Sequence, residues 1–255
     1  MILLNDVSLK LPDGRVLLNN INLEIKKNET WILFGRNGAG KTRLLEIISG
    51  YRFPSEGEVT RFGETHRNSD IREIRKRIGY VSTILREKFS PNEKIIDVVV
   101  SGLFASVGIY EDVSDEIYAE AKVLLSMAGL LGRNEDDFGI LSDGEKQKVI
   151  MLRAIIRHPD LLLLDEATKG LDLAAREDFL SLIEKINEER KTTIVYVTHH
   201  IEEIIPLFKN IFIMQNGECF FSGTVTDGIS SKRLSELFER PVSVEQRSGR
   251  YYALL

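Results

Sequence analysis

Apolar and polar residues alternate along ILLNDVSLKL and again along VLLNNINLEI, with a PDG turn between them. The pattern predicts an antiparallel β pair with one buried face near the amino terminus. TWILFG follows, short and apolar throughout, and runs into a glycine-rich stretch. RLLEIISG then takes helical spacing and stops at Gly50, a C-cap position, so the local order is strand, loop, helix. GEVTRFGE reads as an edge hairpin strand, and DIREIRKR as a charged, solvated helix leading into the strand IGYV.

From Ser90 the period lengthens. SPNEKIIDVVVSGLF places Ser before Pro at an expected helix start, and SDEIYAEAKVLLSMAGL repeats its apolar residues at helical spacing. After Pro159 strands and helices alternate again: LLLLD, then LAAREDFLSLIEKINEER, then TTIVYVT, then NIFIMQNGECFFSG turned at Asn216-Gly217. This order predicts an α/β fold with a mostly parallel central sheet, an antiparallel β part at the amino end and an inserted helical part. No repeat or linker interrupts it, so residues 1–255 are expected as one domain, with the helical part near 85–157.

The bulk numbers narrow the class. The 255 residues are 43% hydrophobic and 29% charged, as in folded proteins. A balance of 34 basic to 39 acidic side chains sets up no global positive field, and nucleic acid is not an expected partner. The single cysteine, Cys219 in CFFSG, is expected as a small core residue of a protein in a reducing cytoplasm. MILLNDVSLKL lacks the pattern of a signal peptide. The longest uncharged run, Val98 to Tyr110, falls short of the ~20 residues a spanning helix needs and is expected as a buried helix. Any membrane role then comes through a partner.

Residues 35 to 42, GRNGAGKT, satisfy GxxxxGK[ST] between an expected strand and an expected helix. Gly35, Gly38 and Gly40, with Arg36, Asn37 and Ala39 between them, let backbone N–H groups turn inward around the β- and γ-phosphates of a nucleotide. Lys41 adds a point charge there, Thr42 offers its hydroxyl to Mg²⁺, and the helix start adds its positive end. Arg36 is open to phosphate or to solvent. In LLLLDEAT a buried strand delivers Asp165 and Glu166 to its carboxyl end, where open α/β sheets place ligands. Asp165 is expected to hold Mg²⁺ and Glu166 to act as general base on the attacking water.

A phosphate loop alone does not choose among nucleotide enzymes. LSDGEKQKVIMLRAIIRHPDLLLLDEA does: it resembles the ABC signature followed at the usual distance by the acidic strand. KGLD, with Asp172, resembles that family's D-loop. YVTHHIEE, with His199, resembles its switch histidine, and GYRFPSEGEVTRFG fits the stretch after the phosphate helix. SGLFASVGIYEDVSDE resembles subunits associated with molybdate uptake. The resemblance implies an ATPase of the ABC type that uses ATP and Mg²⁺ and closes as a head-to-tail homodimer. Ser142, Gly144 and Asp172 of one copy would then approach the ATP of the other, with Glu166 and His199 catalytic. Ser142 and Glu145 also form an S-x-x-E capping box, so that segment is expected to open a helix.

The chain departs from the family at several places. Asp143 and Glu145 stand where the signature has Gly and Gln. VSTILRE offers Ser82 and Thr83 where a glutamine is expected. No aromatic occurs between Leu3 and Asn20 to stack adenine, so base recognition would rest on an aliphatic contact. His66, His158 and His200 are expected on the surface or in loops. The leading expectation is the cytoplasmic ATP-binding subunit of an ABC transporter, peripheral at the inner face of the cell membrane through a separate permease. The rival is a soluble ABC ATPase that acts on or regulates another macromolecule. A DNA-repair ATPase is disfavoured, since the chain lacks a long heptad insertion and cysteine clusters.

Overall fold

The computed structural model describes residues 1–104, 108–109 and 112–254. They divide into two compact units, one of Met1–Arg75 with Thr193–Leu255, the other of Lys76–Thr192.

The first unit opens with β1 (Ile2–Lys10) antiparallel to β2 (Val16–Ile25), as the alternation requires. Both strands carry a left-handed residue, Asp6 at φ 50° and Asn20 at φ 50°, and the register slips between Leu4 and Val7. Bulges of this kind shift the buried face by one position. Leu4 and Val7 are therefore both buried although they sit three apart. β3 (Thr30–Gly35) is buried along its whole length and leads through the glycine-rich loop into α1 (Lys41–Ile48). β4 (Glu56–Arg61) pairs with β1 and with the two-residue β5 (Glu64–Thr65), giving a sheet ordered β2-β1-β4-β5. α2 (Ile71–Lys76) buries Ile74 and is otherwise solvated or half-buried.

In the second unit β6 (Ile78–Ser82) runs parallel to β7 (Leu161–Asp165). The helices are α3 (Thr83–Arg86), α4 (Ile95–Val100), α5 (Asp115–Met127), α6 (Asp143–Ile155) and α7 (Leu173–Arg190). Val98, Val99, Leu124, Leu125, Val149 and Leu152 form the core where α4, α5 and α6 meet. Two expectations need correction here. Ser90-Pro91 opens a turn rather than a helix: Pro91 O accepts from Gly139 N at 2.7 Å, and α4 starts at Ile95. The buried helix expected over 98–110 ends at Val100 and continues as a single 3-10 turn, Ser101–Phe104; residues 105–107 and 110 of that stretch lie outside the described residues.

The chain then returns to the first unit. β8 (Thr193–Thr198) and β9 (Asn210–Gln215) flank β3, both parallel to it, and β10 (Glu218–Thr224) is antiparallel to β9. Short helices α8 (Val225–Gly228) and α9 (Ser231–Phe238) and a hairpin of β11 (Ser243–Arg247) with β12 (Arg250–Leu254) complete it. Cys219, expected in the core, is exposed on β10, so its flanking aromatics do not mark a buried strand. Among the described residues no helix is long and apolar enough to cross a membrane.

The β9–β10 turn supports the phosphate loop. Asn216 and Gly217 take φ 51° and 80°, as a tight hairpin turn requires, while Gly217 donates to Ala39 O at 3.1 Å and accepts from Asn19 N at 2.9 Å. A Cβ on Gly217 would stand 2.5 Å from Leu17 O. Gly217→Ala is therefore expected to cost about 2 kcal/mol, from the left-handed backbone and the clash together. A urea midpoint equal to wild type would refute this.

Candidate active site

The phosphate loop is built by backbone geometry. Gly35, Gly38 and Gly40 have φ of 153°, 83° and 100°. A Cβ on Gly35 would meet Met214 O at 2.4 Å and one on Gly40 would meet Leu18 Cδ2 at 2.9 Å, whereas Gly38 faces open space. Arg36, Asn37 and Gly38 form an exposed crest, Ala39 is buried beneath it, and Thr42 is exposed. Lys41 is buried, and its Nζ donates to Gly35 O at 2.8 Å and Arg36 O at 3.1 Å, so the loop curls around its own lysine. Gly40 is the N-cap of α1 and supplies no side-chain cap, which leaves the first-turn N–H groups aimed into the loop. Open space at Gly38, an uncapped helix start and a lysine at the loop's base suit the polyphosphate of ATP.

His199 joins this loop in the first unit. Phe34 and Thr198 are partners in the β3/β8 register, so Gly35 and His199 leave neighbouring strands at the same level. The His199 and His200 rings lie 4.1 Å apart. The turn that carries them is anchored by Glu203, a buried carboxylate that accepts from Tyr196 Oη at 2.9 Å and from Thr198 Oγ1. His158 and His200 are exposed as expected, while His66 is half-buried and accepts from Val59 N at 3.2 Å.

In the second unit β7 delivers Asp165 and Glu166 at its carboxyl end. Asp165 Oδ2 accepts from Tyr80 Oη at 2.9 Å. Glu166 has φ 46°, unusual for a residue with a side chain, and its Oε2 lies 3.6 Å from Lys169 Nζ. Among the described residues no group of three or more His, Cys, Asp or Glu side chains converges as a metal cage. Mg²⁺ fits such donors as an ion held jointly by phosphate oxygens, water and one or two protein oxygens, which is its usual mode.

Ser142, Gly144 and Asp172 come together in the same unit. Ser142 caps α6 through the complete capping box, accepting from Glu145 N while Glu145 Oε2 accepts from Ser142 N at 2.8 Å. Asp172 caps α7, its Oδ1 accepting from Ala175 N at 2.8 Å. A Cβ on Gly144 would stand 2.7 Å from Ala175 Cβ, so glycine there lets the two helix starts touch.

The two acidic departures each have a basic partner that the sequence reading missed. Arg133 Nη1 donates to Glu145 Oε1 at 2.6 Å, so the carboxylate that Ser142 N holds at the helix start is also ion-paired. Arg86, at the end of α3, donates to Asp143 O at 3.4 Å and lies 3.7 Å from the Asp143 carboxylate. Where a glutamine was expected after β6, Ser82 instead caps α3, and Thr83 begins it. Tyr80, Arg86 and Glu203 lie in stretches read from the sequence and Arg133 in the turn after α5, but nothing in their local spacing announces a partner. Val16 could have been noticed: it is the first residue of β2 and 50% exposed, and the next residues, Leu17 and Leu18, border Gly40.

A sequence-family model described as ABC transporter matches residues 18–169. The chain is 39% identical over 243 residues to the ABC transporter ATP-binding protein YlmA of Bacillus subtilis (strain 168), covering 94% of this chain and 92% of that one. It is 34% identical to the ABC transporter ATP-binding protein ModF of Escherichia coli (strain K12), over 75% of this chain and 40% of ModF. Its fold is similar to the ATP-binding cassette MJ0796, solved as a dimer in a post-hydrolysis state with ADP and Pi: the TM-score is 0.75 at 28% identity, covering 88% of this chain and 99% of that one. The chain belongs to the ABC transporter family as an ATP-binding cassette that hydrolyses ATP.

Glu145 carries a pH dependence. Burial pushes its carboxyl up, but the Ser142 N–H and hydroxyl together with the Arg133 guanidinium outweigh it and hold the group below its ordinary 4.5. A depressed carboxyl stabilises the fold above its unfolded value and loses that contribution as pH falls through the folded one. Glu145→Gln is expected to make the stability curve below pH 4.5 shallower than wild type. Parallel curves from urea unfolding across that window would show that the cap does not draw on the charge.

Proposed function

We propose that two copies of this chain close head to tail on two ATP molecules and that closure and hydrolysis drive a separate membrane permease from its cytoplasmic side. The 255 residues act as one ATPase domain, with the helical part near 85–157 inserted. Each copy contributes the Gly35–Thr42 loop to one nucleotide and Ser142, Gly144 and Asp172 to the nucleotide of its partner.

One observation carries this reading above the others: the start of α6 is exposed at Ser142, and Glu145, one of its two first-turn acids, is turned back onto the Ser142 N–H. Glu145 thereby removes its charge from the surface that meets a γ-phosphate, while the free N–H groups and positive end of α6 stay available to that phosphate. The resemblance of MJ0796, a cassette solved as a dimer, supports the same arrangement.

Chemical roles follow from donor type. Lys41 and the loop N–H groups hold the β- and γ-phosphates, and Val16 packs on the base in place of an aromatic ring. Glu166 takes a proton from the attacking water, and His199 orients that water and the γ-phosphate. Thr42 and Asp165 hold Mg²⁺, which supplies positive charge against the phosphate oxygens. Loss of the γ-phosphate removes its contact with Ser142 and Gly144 and lets the copies part, which turns hydrolysis into movement.

Glu166→Gln is expected to lower turnover by about 10²–10⁴-fold while ATP binding persists, so Mg-ATP converts the variant from monomer to stable dimer in size-exclusion chromatography with light scattering. Bound ATP with no dimer would sink the head-to-tail reading. Lys41→Ala is expected to abolish ATP binding in a direct titration, and wild-type affinity would remove Lys41 from the site. Co-purification with membranes in cells supports the permease. A wholly soluble ATPase there favours the rival in which the partner is another macromolecule.

A further inference from the structure

The end of α1 away from the phosphate loop holds a concentration of positive charge that nucleotide chemistry does not use. Arg61, the last residue of β4, is fully buried. Its Nε donates to Ile48 O at 2.8 Å and its Nη2 to Ile47 O, so the guanidinium closes the carbonyl end of α1. The remaining nitrogen, Nη1, is buried and has no acceptor among the described residues.

Arg75, on α2, reaches the same turn. Its Nη2 donates to Gly50 O at 2.6 Å, its guanidinium lies 4.4 Å from the centre of the Tyr51 ring, and its Nε is buried without an acceptor. Gly50 is the shared neighbour: a Cβ there would stand 4.0 Å from Arg61 Nε and 2.2 Å from Ile71 of α2. Ser69, two residues before Ile71, buries its hydroxyl without a partner.

Charges withdrawn from water require counter-charges. Among the described residues the two guanidiniums are held by the carbonyl end of α1, the Gly50 carbonyl and a ring face, with no carboxylate paired to them. Burial, and then the charge of Arg75, push Arg61 down to about 10, and His66 is held low by burial and by Arg61 and Arg67. Three buried donors have no acceptor among the described residues: Arg61 Nη1 on β4, Arg75 Nε on α2 and Ser69 Oγ two residues before α2.

We propose that Arg61, Arg75 and Ser69 form a binding site for a small tetrahedral oxyanion, inorganic phosphate or sulfate, at the carboxyl end of α1. Such an anion offers separate oxygens to Arg61 Nη1, Arg75 Nε and Ser69 Oγ and neutralises both guanidiniums at once. Acetate presents a planar pair of oxygens and chloride a single centre, so neither matches donors that come from β4, α2 and the segment between them. The anion would pin that segment to the end of the phosphate helix. Arg75 and Ser69 are half-buried, and the Tyr51 ring that Arg75 covers is exposed. The site lies in the first unit and does not depend on the ATPase reading.

The test uses the full chain carrying Lys41→Ala, so that the phosphate loop does not take up the probe. Sodium phosphate, sulfate, acetate and chloride are titrated at equal ionic strength, with calorimetry and thermal unfolding as readouts. Saturable binding and a raised unfolding temperature are expected with phosphate and sulfate alone. Adding Arg75→Gln, and separately Ser69→Ala, should weaken that binding, by about tenfold or more for the arginine. Both substitutions leave Arg61 capping α1, so folding is preserved where Arg61→Met would uncap the helix. No saturable oxyanion binding, or binding indifferent to Arg75→Gln, would mean that water alone fills the donors and would overturn the proposal.

Discussion

The first peptide N–H groups of an α-helix have no acceptor within it, and at α1 no side chain steps in to supply one. That constraint organises the phosphate loop. Gly40 must be glycine because its φ is 100° and because Leu18 and the Leu17 carbonyl crowd the place where a Cβ would stand. Lys41 is buried at the base of the loop, and its ammonium donates to the carbonyls of Gly35 and Arg36, which curve around it. The tight turn between β9 and β10 closes against Ala39 from below. Each contact leaves the N–H groups aimed at one empty place, which anion chemistry suits and little else does.

Two other helix starts solve the same problem differently. α6 and α7 are capped, by Ser142 with Glu145 and by Asp172, and they approach through Gly144 and Ala175. A capped start is weaker as an anion trap than an open one, but it is firmly oriented. The acids that depart from the family signature are absorbed in that orientation. Glu145 is part of the cap itself and is paired with Arg133. The Asp143 side chain is 62% exposed and its Arg86 partner stands 3.7 Å away, a pair worth about 0–1 kcal/mol, so Asp143 is tolerated more than it is held.

What could be read from residues alone is what local spacing encodes. GRNGAGKT, the acids after LLLLD and the capping box each lie within one turn or strand end, and each stands in its expected local context. The parallel strands and the helical middle were legible for the same reason, since hydrophobic period is a local signal. Partners distant in sequence were not legible: Tyr80 with Asp165, Arg86 with Asp143 and Glu203 with the turn at His199 depend on which elements pack together. The Ser-Pro pair at 90 and 91 misled because the residue types that open a helix also open a turn, and the contact with Gly139 decided between them. Cys219 misled because aromatic neighbours suggest burial, whereas no residue of β10 is buried and several are exposed.

Glu166 shows how position and chemistry are linked in this chain. Its left-handed backbone costs roughly 1–3 kcal/mol, and such a residue persists only where its surroundings hold it there. Here the hold is visible: β7 is buried up to Leu164, and the turn closes when Lys169 N donates to Glu166 O at 3.0 Å. At φ 46° the backbone leaves the extended conformation at Glu166, directly after the strand ends at Asp165. Lys169 Nζ stands 3.6 Å from the carboxylate, yet that lysine is 67% exposed and its pull is screened by water.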